Sequence, residues 1–107
     1  MGNAYQRIAS LCPANTDEAA LYLVPAATQI VGVLRITNID TVQRTYRVAH
    51  CAATGAATAD EWLAYDVPID ASETHEISIN AGPAEEIRVD ASVGDKLAFH
   101  LSGMIIT

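Results

Sequence analysis

TQIVGVLRITNIDTVQRTYRVAHC, residues 28 to 51, is the stretch on which the fold class turns. From Gln29 to Ile39 the residues alternate. Ile30, Gly32, Leu34 and Ile36 fall on one face, and Val31, Val33, Arg35 and Thr37 on the other. From Gln43 to Cys51 the pattern repeats, with Tyr46, Val48 and His50 opposed to Thr45, Arg47, Ala49 and Cys51. A period of two with β-branched and aromatic residues marks half-buried strands. Asn38, Asp40 and Thr41 between the runs carry short side chains that hydrogen-bond their own backbone in turns. The expectation is a β-hairpin at the centre of an all-β domain.

Working outward, the same logic supplies further strands. Tyr5–Leu11 alternates weakly and ends at Pro13, and ALYLV (20–24) is stopped by Pro25. Proline fixes its own φ and has no amide proton to donate. Ala52 to Ala59 (AATGAATA) has nothing to anchor in a core and reads as a surface loop. DEWLAYD (60–66) leads into Val67, Pro68 and Ile69, which favours an extended edge strand because proline is tolerated there. His75, Ile77 and Ile79 share one face of a strand over 74–80, Ile87 and Val89 one face over 85–91, and Leu97, Phe99 and Leu101 one face of the last long strand. The tail GMIIT (103–107) stays apolar, as expected of a C-terminus tied into a sheet. About eight short strands with regular turn signals predict a two-sheet antiparallel β-sandwich, jelly-roll-like, in one domain over 1–107. Residues 1–16 are expected to form an extended N-terminal arm.

The 107 residues carry thirteen acidic and six basic side chains, a formal charge of −7. Nucleic-acid binding needs a positive surface that displaces counterions from phosphates, and these scattered basic residues do not make one. The same balance argues against an anionic membrane surface. No signal-peptide pattern or membrane-length apolar run is read, so the chain is expected to be made in the cytoplasm and soluble. Half of the residues are apolar, but many are alanine, and a modest core in a small domain favours oligomerisation.

Chemistry is sparse. His50, His75 and His100 lie on three different strands with no closely spaced pair of the kind zinc sites use. His75 and Glu76 are sequence neighbours and so point to opposite faces of their strand. Cys51 beside His50 points away from it, and no Gly-x-Ser-x-Gly elbow occurs. Asp60-Glu61 and Glu85-Glu86 read as solvated turn residues, not as the facing carboxylates of a glycosidase. No catalytic residue, cofactor or metal is expected. Cys12 and Cys51 have no metal-ligand spacing; they form a disulfide, within one chain or between chains, or remain buried free thiols. Val31 and Val33 are apolar on the outward face beside Arg35 and Arg47, and Trp62 and Tyr65 follow the small-residue loop. Apolar residues on both faces of a strand indicate that both faces are covered. Aromatic and arginine side chains anchor interfaces. Trp62, Tyr65, Arg35 and Arg47 are therefore the candidate interface residues. A carbohydrate-binding module with Trp62 and Tyr65 as stacking platforms is the reading from another class.

The strings LYLVPAATQIVGVLRITNID (21–40), TYRVAH (45–50), EWLAYDVPIDASETHEISI (61–79) and IRVDASVGDKLAFHLSGMIIT (87–107) resemble a group of small all-β virion proteins of tailed bacteriophages. Chains of that group share a LYTVPA-like opening, an FRVAV-like strand, a YLAYD-like segment and a VRVYAS-like run near the end. Ile39-Asp40 replaces the group's commoner basic residue after Asn38, and Met104 stands where Ser or Glu is frequent. The resemblance implies a non-enzymatic structural protein of the virion. Within that class it implies a capsid decoration or cement protein bound to the major capsid protein or other virion proteins, as a small homo-oligomer with a trimer favoured. A tail, neck or fibre-attachment component is the neighbouring alternative.

Overall fold

The alternating runs become eight strands in the computed structural model, which describes residues 4–107: β1 (Tyr5–Leu11), β2 (Ala19–Leu23), β3 (Gln29–Asn38), β4 (Arg44–Cys51), β5 (Trp62–Ile69), β6 (Thr74–Ala81), β7 (Glu86–Ala91) and β8 (Leu97–Ile106). Two four-stranded antiparallel sheets pack face to face, sheet A in the order β1-β8-β3-β6 and sheet B in the order β2-β7-β4-β5. The first strand therefore pairs with the last, the second with the one before it, and so on inward to β4 with β5. The chain is one long hairpin wrapped around a core, which is the jelly-roll form of the β-sandwich.

That topology overturns the expected central hairpin. β3 and β4 do not pair; they lie in different sheets. The turn between them is an arch, held by Asn38, whose side chain is fully buried. Its amide nitrogen donates to the carbonyls of Val42 (2.9 Å) and Ile69 (3.0 Å), and its carbonyl oxygen accepts from the Asp40 amide at 2.8 Å. The true apex of the hairpin is the small-residue segment between β4 and β5, closed by a 3-10 turn at Ala59–Glu61. Glu61 holds this apex, accepting from the amides of Ala52 and Thr58 at 2.8 and 2.9 Å. Asp60-Glu61 is thus half structural.

The core forms where alternation predicted. Ile30, Leu34 and Ile36 from β3, Leu97, Phe99 and Leu101 from β8, Val48 from β4, and Ile87 and Val89 from β7 are all completely buried. Opposite each other in the β3–β8 ladder stand Gly32 and Gly103. A Cβ on Gly32 would lie 2.1 Å from the Ser102 carbonyl oxygen, and one on Gly103 2.3 Å from that of Val31. Only a glycine pair permits so close a backbone approach.

Inside the segment 1–16 expected as an N-terminal arm, the strand read from sequence forms. From Tyr5 to Leu11 the chain is strand β1, paired with β8 along Tyr5↔Met104 to Leu11↔Phe99. Backbone groups that would otherwise be unpaired at the edge of β8 are satisfied by this pairing. Residues 1–3 lie outside the described residues. At the other end β8 runs to Ile106, so the apolar tail is part of the sheet.

Asn38 supplies two donors that water cannot replace in the core, and a carbonyl left unsatisfied there costs on the order of 1–3 kcal/mol. Asn38→Leu is expected to lower the free energy of unfolding by about that amount or more. The exposed control Thr41→Ala should stay within about 0.5 kcal/mol of the parent. Urea denaturation followed by tryptophan fluorescence checks both.

Candidate functional site

The outer edge of sheet B gathers three of the four residues singled out from sequence. Ala49 faces Trp62, Val48 faces Ala64 and Tyr46 faces Val67, so β5 accommodates one extra residue at each step. These are two β-bulges, and Asp66 within the second has a left-handed backbone, φ 53°. Strict alternation would send Trp62 and Tyr65 to opposite faces. The bulges bring them together, with ring centroids 5.3 Å apart in an edge-to-face arrangement at 74°. The Arg47 guanidinium lies 4.0 Å over the Tyr65 ring. Its Nε and Nη2 donate to the two carboxylate oxygens of Asp66 at 2.6 and 3.2 Å.

Beside this cluster lies a cleft of about 230 Å³ lined by Thr16, Thr45, Arg47, Asp66, Asp90 and Ser92, among others. Asp90 stands across from Arg47 in the β4–β7 register, its carboxylate 4.0 Å from Arg47 Nη1. The two carboxyl groups are driven apart. The Arg47 hydrogen bonds hold Asp66 below the usual carboxylate range, while burial pushes Asp90 above it. Arg47 is committed, its fork to Asp66 and its face to Tyr65, so it offers little to an incoming ligand. Thr16, Asp90 and Ser92 were not foreseen, because they reach the cleft from a loop, from β7 and from the turn after it, and only the inter-strand register shows that.

Arg35 is elsewhere. It lies on the outer face of sheet A, bonded to Glu76 at 2.9 Å and to Ser102 at 3.3 Å. On the same face the pairings Tyr5↔Met104 and Val31↔Met104 set three apolar side chains in a row. Tyr5 is 76% exposed and Val31 37% exposed; Val33 and Ile106 are half-buried nearby.

His50 and His75 each find a carboxylate, and that of His75 is not its sequence neighbour Glu76. His50 Nε2 lies 2.7 Å from Glu85, whose carboxylate also accepts the Gly82 amide at 2.7 Å. These bonds, the Gly82 amide first, hold the Glu85 carboxyl below its ordinary range. His75 joins the sheets, with Nδ1 2.8 Å from the Tyr46 hydroxyl and Nε2 3.1 Å from Glu73. Burial, and then the Glu73 charge, push the Tyr46 hydroxyl above its usual range. Glu86 is no solvated turn residue: it is 5% exposed and accepts from Arg88 at 2.8 Å, while Arg88 also pairs with Glu18. The apex segment folds toward this network, the Ala57 amide donating to Glu18 at 3.0 Å. Among the described residues no group of three or more His, Cys, Asp and Glu side chains is placed to hold a metal ion.

Both thiols are free, Cys12 exposed and Cys51 buried, so no disulfide joins them within the chain. Cys12 follows β1 of sheet A, whereas Cys51 closes β4 of sheet B. Burial, reinforced by the Glu61 charge, pushes the Cys51 thiol up to about 11. A thiol reagent at neutral pH is expected to titrate one cysteine in the native protein and two in denaturant, with Cys12→Ser removing the native signal. A second native equivalent would contradict the burial of Cys51.

Because the folded-state affinity of Asp90 for a proton is raised, its ionised form opposes folding. That penalty is absent in acid, grows as pH rises past the ordinary carboxyl value and is complete above the raised folded value. Asp90→Asn should therefore raise the urea midpoint at pH 7 and lose its advantage toward pH 3; an equal gain at both would disprove the assignment to charge burial. Comparison of the chain with protein-family models, with curated proteins and with solved structures finds no match.

Proposed function

We propose that this chain is a non-enzymatic structural protein of a tailed-phage virion, most directly a decoration or cement protein that binds the assembled shell. The observation that carries this over a carbohydrate-binding reading is how the exposed apolar side chains are arranged. A sugar-binding face presents aromatic rings as open platforms. Here Trp62 and Tyr65 meet edge-to-face, and Arg47 covers one side of Tyr65. The outer face of sheet A exposes Tyr5 (76%) and, less fully, Val31 (37%) in a row with Met104, next to the ion-paired Arg35, whereas Tyr65, 54% exposed, has its ring engaged by Arg47 and Trp62. An apolar row on a solvent face is a surface that protein contact covers. The jelly roll is neutral between the readings, since capsid proteins and lectins both use it. The sequence resemblance favours the virion.

Adhesion then replaces chemistry: many copies, each with modest contact area, add through multivalency on a repeating lattice. The net charge of −7 suits an outer location away from packaged DNA. The partner is the major capsid protein or another virion protein. A tail or neck location would use the same surface.

The test is co-sedimentation with shells of the phage whose genome encodes the chain. Saturable binding, reduced at least about tenfold by Tyr5→Ser with Val31→Thr while the fold is retained, is the expected outcome. No binding to heads or tails, or a gene lying far from any phage cluster, would sink the proposal. Glycan binding abolished by Trp62→Ala would transfer the assignment to a sugar-binding module.

A further inference from the structure

Each four-stranded sheet exposes two edge strands, and three of the four edges are broken. β1 loses register between Arg7 and Ala9, β2 between Ala20 and Tyr22, and β5 at two places, with Pro68 as a further block. Breaks of this kind blunt an edge against unwanted pairing. β6 is the exception. It pairs with β3 without a register shift from Thr37↔Thr74 to Ile30↔Ala81, and its sequence THEISINA holds no proline and no lysine. On its open side alternate amides and carbonyls face outward over eight residues.

We propose that β6 is a self-association edge, pairing antiparallel with β6 of a second copy about a two-fold axis at Ile77, so that two A sheets join into one continuous eight-stranded sheet. The occupant is argued from the register. With Ile77 opposite its own copy, Glu76 falls across from Ser78 and Thr74 across from Asn80, on the outer face. On that face the charged Glu76 meets the neutral Ser78, Thr74 meets Asn80, and Glu76 is kept from its own copy. Thr74, Glu76, Ser78 and Asn80 are exposed, as such pairing requires. On the inner face Ile77 packs against the core but is only partly buried at the sheet edge, so a second Ile77 would complete its burial. Cross-strand pairs of these kinds stabilise an antiparallel ladder, whereas like charges set opposite destabilise it. Strand addition at an edge is a general mode of recognition, and isologous two-fold contacts are the commonest in homo-oligomers. The pairing is two-fold and so departs from the trimer implied by the family resemblance. It stands independently of the virion assignment.

Light scattering of the full chain is expected to give twice the monomer mass of 11.4 kDa. Ser78→Glu places a carboxylate opposite Glu76 twice per pair and should raise the dissociation constant by about tenfold or more, while Ser78→Lys, which meets Glu76 with opposite charge, should not. Both residues are on the exposed face, so unchanged circular dichroism verifies that the fold survives. In a Cys12→Ser background, Ile77→Cys should cross-link on mild oxidation and Ser78→Cys should not. A monomer, a trimer, or a dimer indifferent to Ser78→Glu overturns the proposal. Cross-linking through Ser78→Cys in place of Ile77→Cys overturns the register.

Discussion

The β3–β8 ladder is the constraint from which the rest of the molecule hangs. Ten residues of each strand run side by side, and the two strands provide six of the fully buried core side chains, Ile30, Leu34, Ile36, Leu97, Phe99 and Leu101. β1 and β6 flank the ladder to complete sheet A, and sheet B buries its own inner face against it. The Gly32–Gly103 contact is the tightest point of the ladder: a methyl group on either residue would collide with the opposite backbone. Composition thus acts through absence here. Core side chains attract the sheets to one another, while two missing side chains allow the strands to meet.

Strand existence was legible because it depends on a local period. Tyr5–Leu11 was delimited to the residue, and Leu97, Phe99 and Leu101 were assigned to the buried face. Pairing was not legible in the same way. Asn38, Asp40 and Thr41 encode a change of direction, and a turn signal does not state whether the next strand returns to the same sheet or crosses to the other. The difference lies in whether the Asn38 side chain is solvated or buried against Val42 and Ile69, which is a long-range fact. Candidate-site residues divide likewise. Arg47, Trp62 and Tyr65 were selected by type, but it is the two bulges of β5 that unite them, and no periodicity announces a bulge. Arg35 was selected by the same criterion and sits on the other sheet.

Charge on sheet B illustrates how register converts polar alternation into structure. Glu86 was read as a solvated turn residue. Instead Arg88 bridges Glu86 and Glu18, and the apex segment donates the Ala57 amide to the same carboxylate of Glu18. A paired, shielded charge repays part of its desolvation only while every partner is present, so such networks select one arrangement of the chain more than they add stability. The mobile-looking composition of Ala52–Ala59 is accordingly tethered from both sides, by Glu18 and by Glu61.

Nested pairing also makes one order of assembly the cheapest in loop entropy. The loop closed by β4–β5 is the shortest, and each later ladder, β3–β6, β2–β7 and β1–β8, closes around one already formed. Since the entropy of loop closure grows with the length of free chain, the cheapest route is a zipper that starts at the apex and ends with the two termini. On that route the pairing of Tyr5 with Met104, which closes the longest loop, comes last. A newly made chain cannot begin at its N-terminus: β1 must wait, unpaired, until β8 has been synthesised.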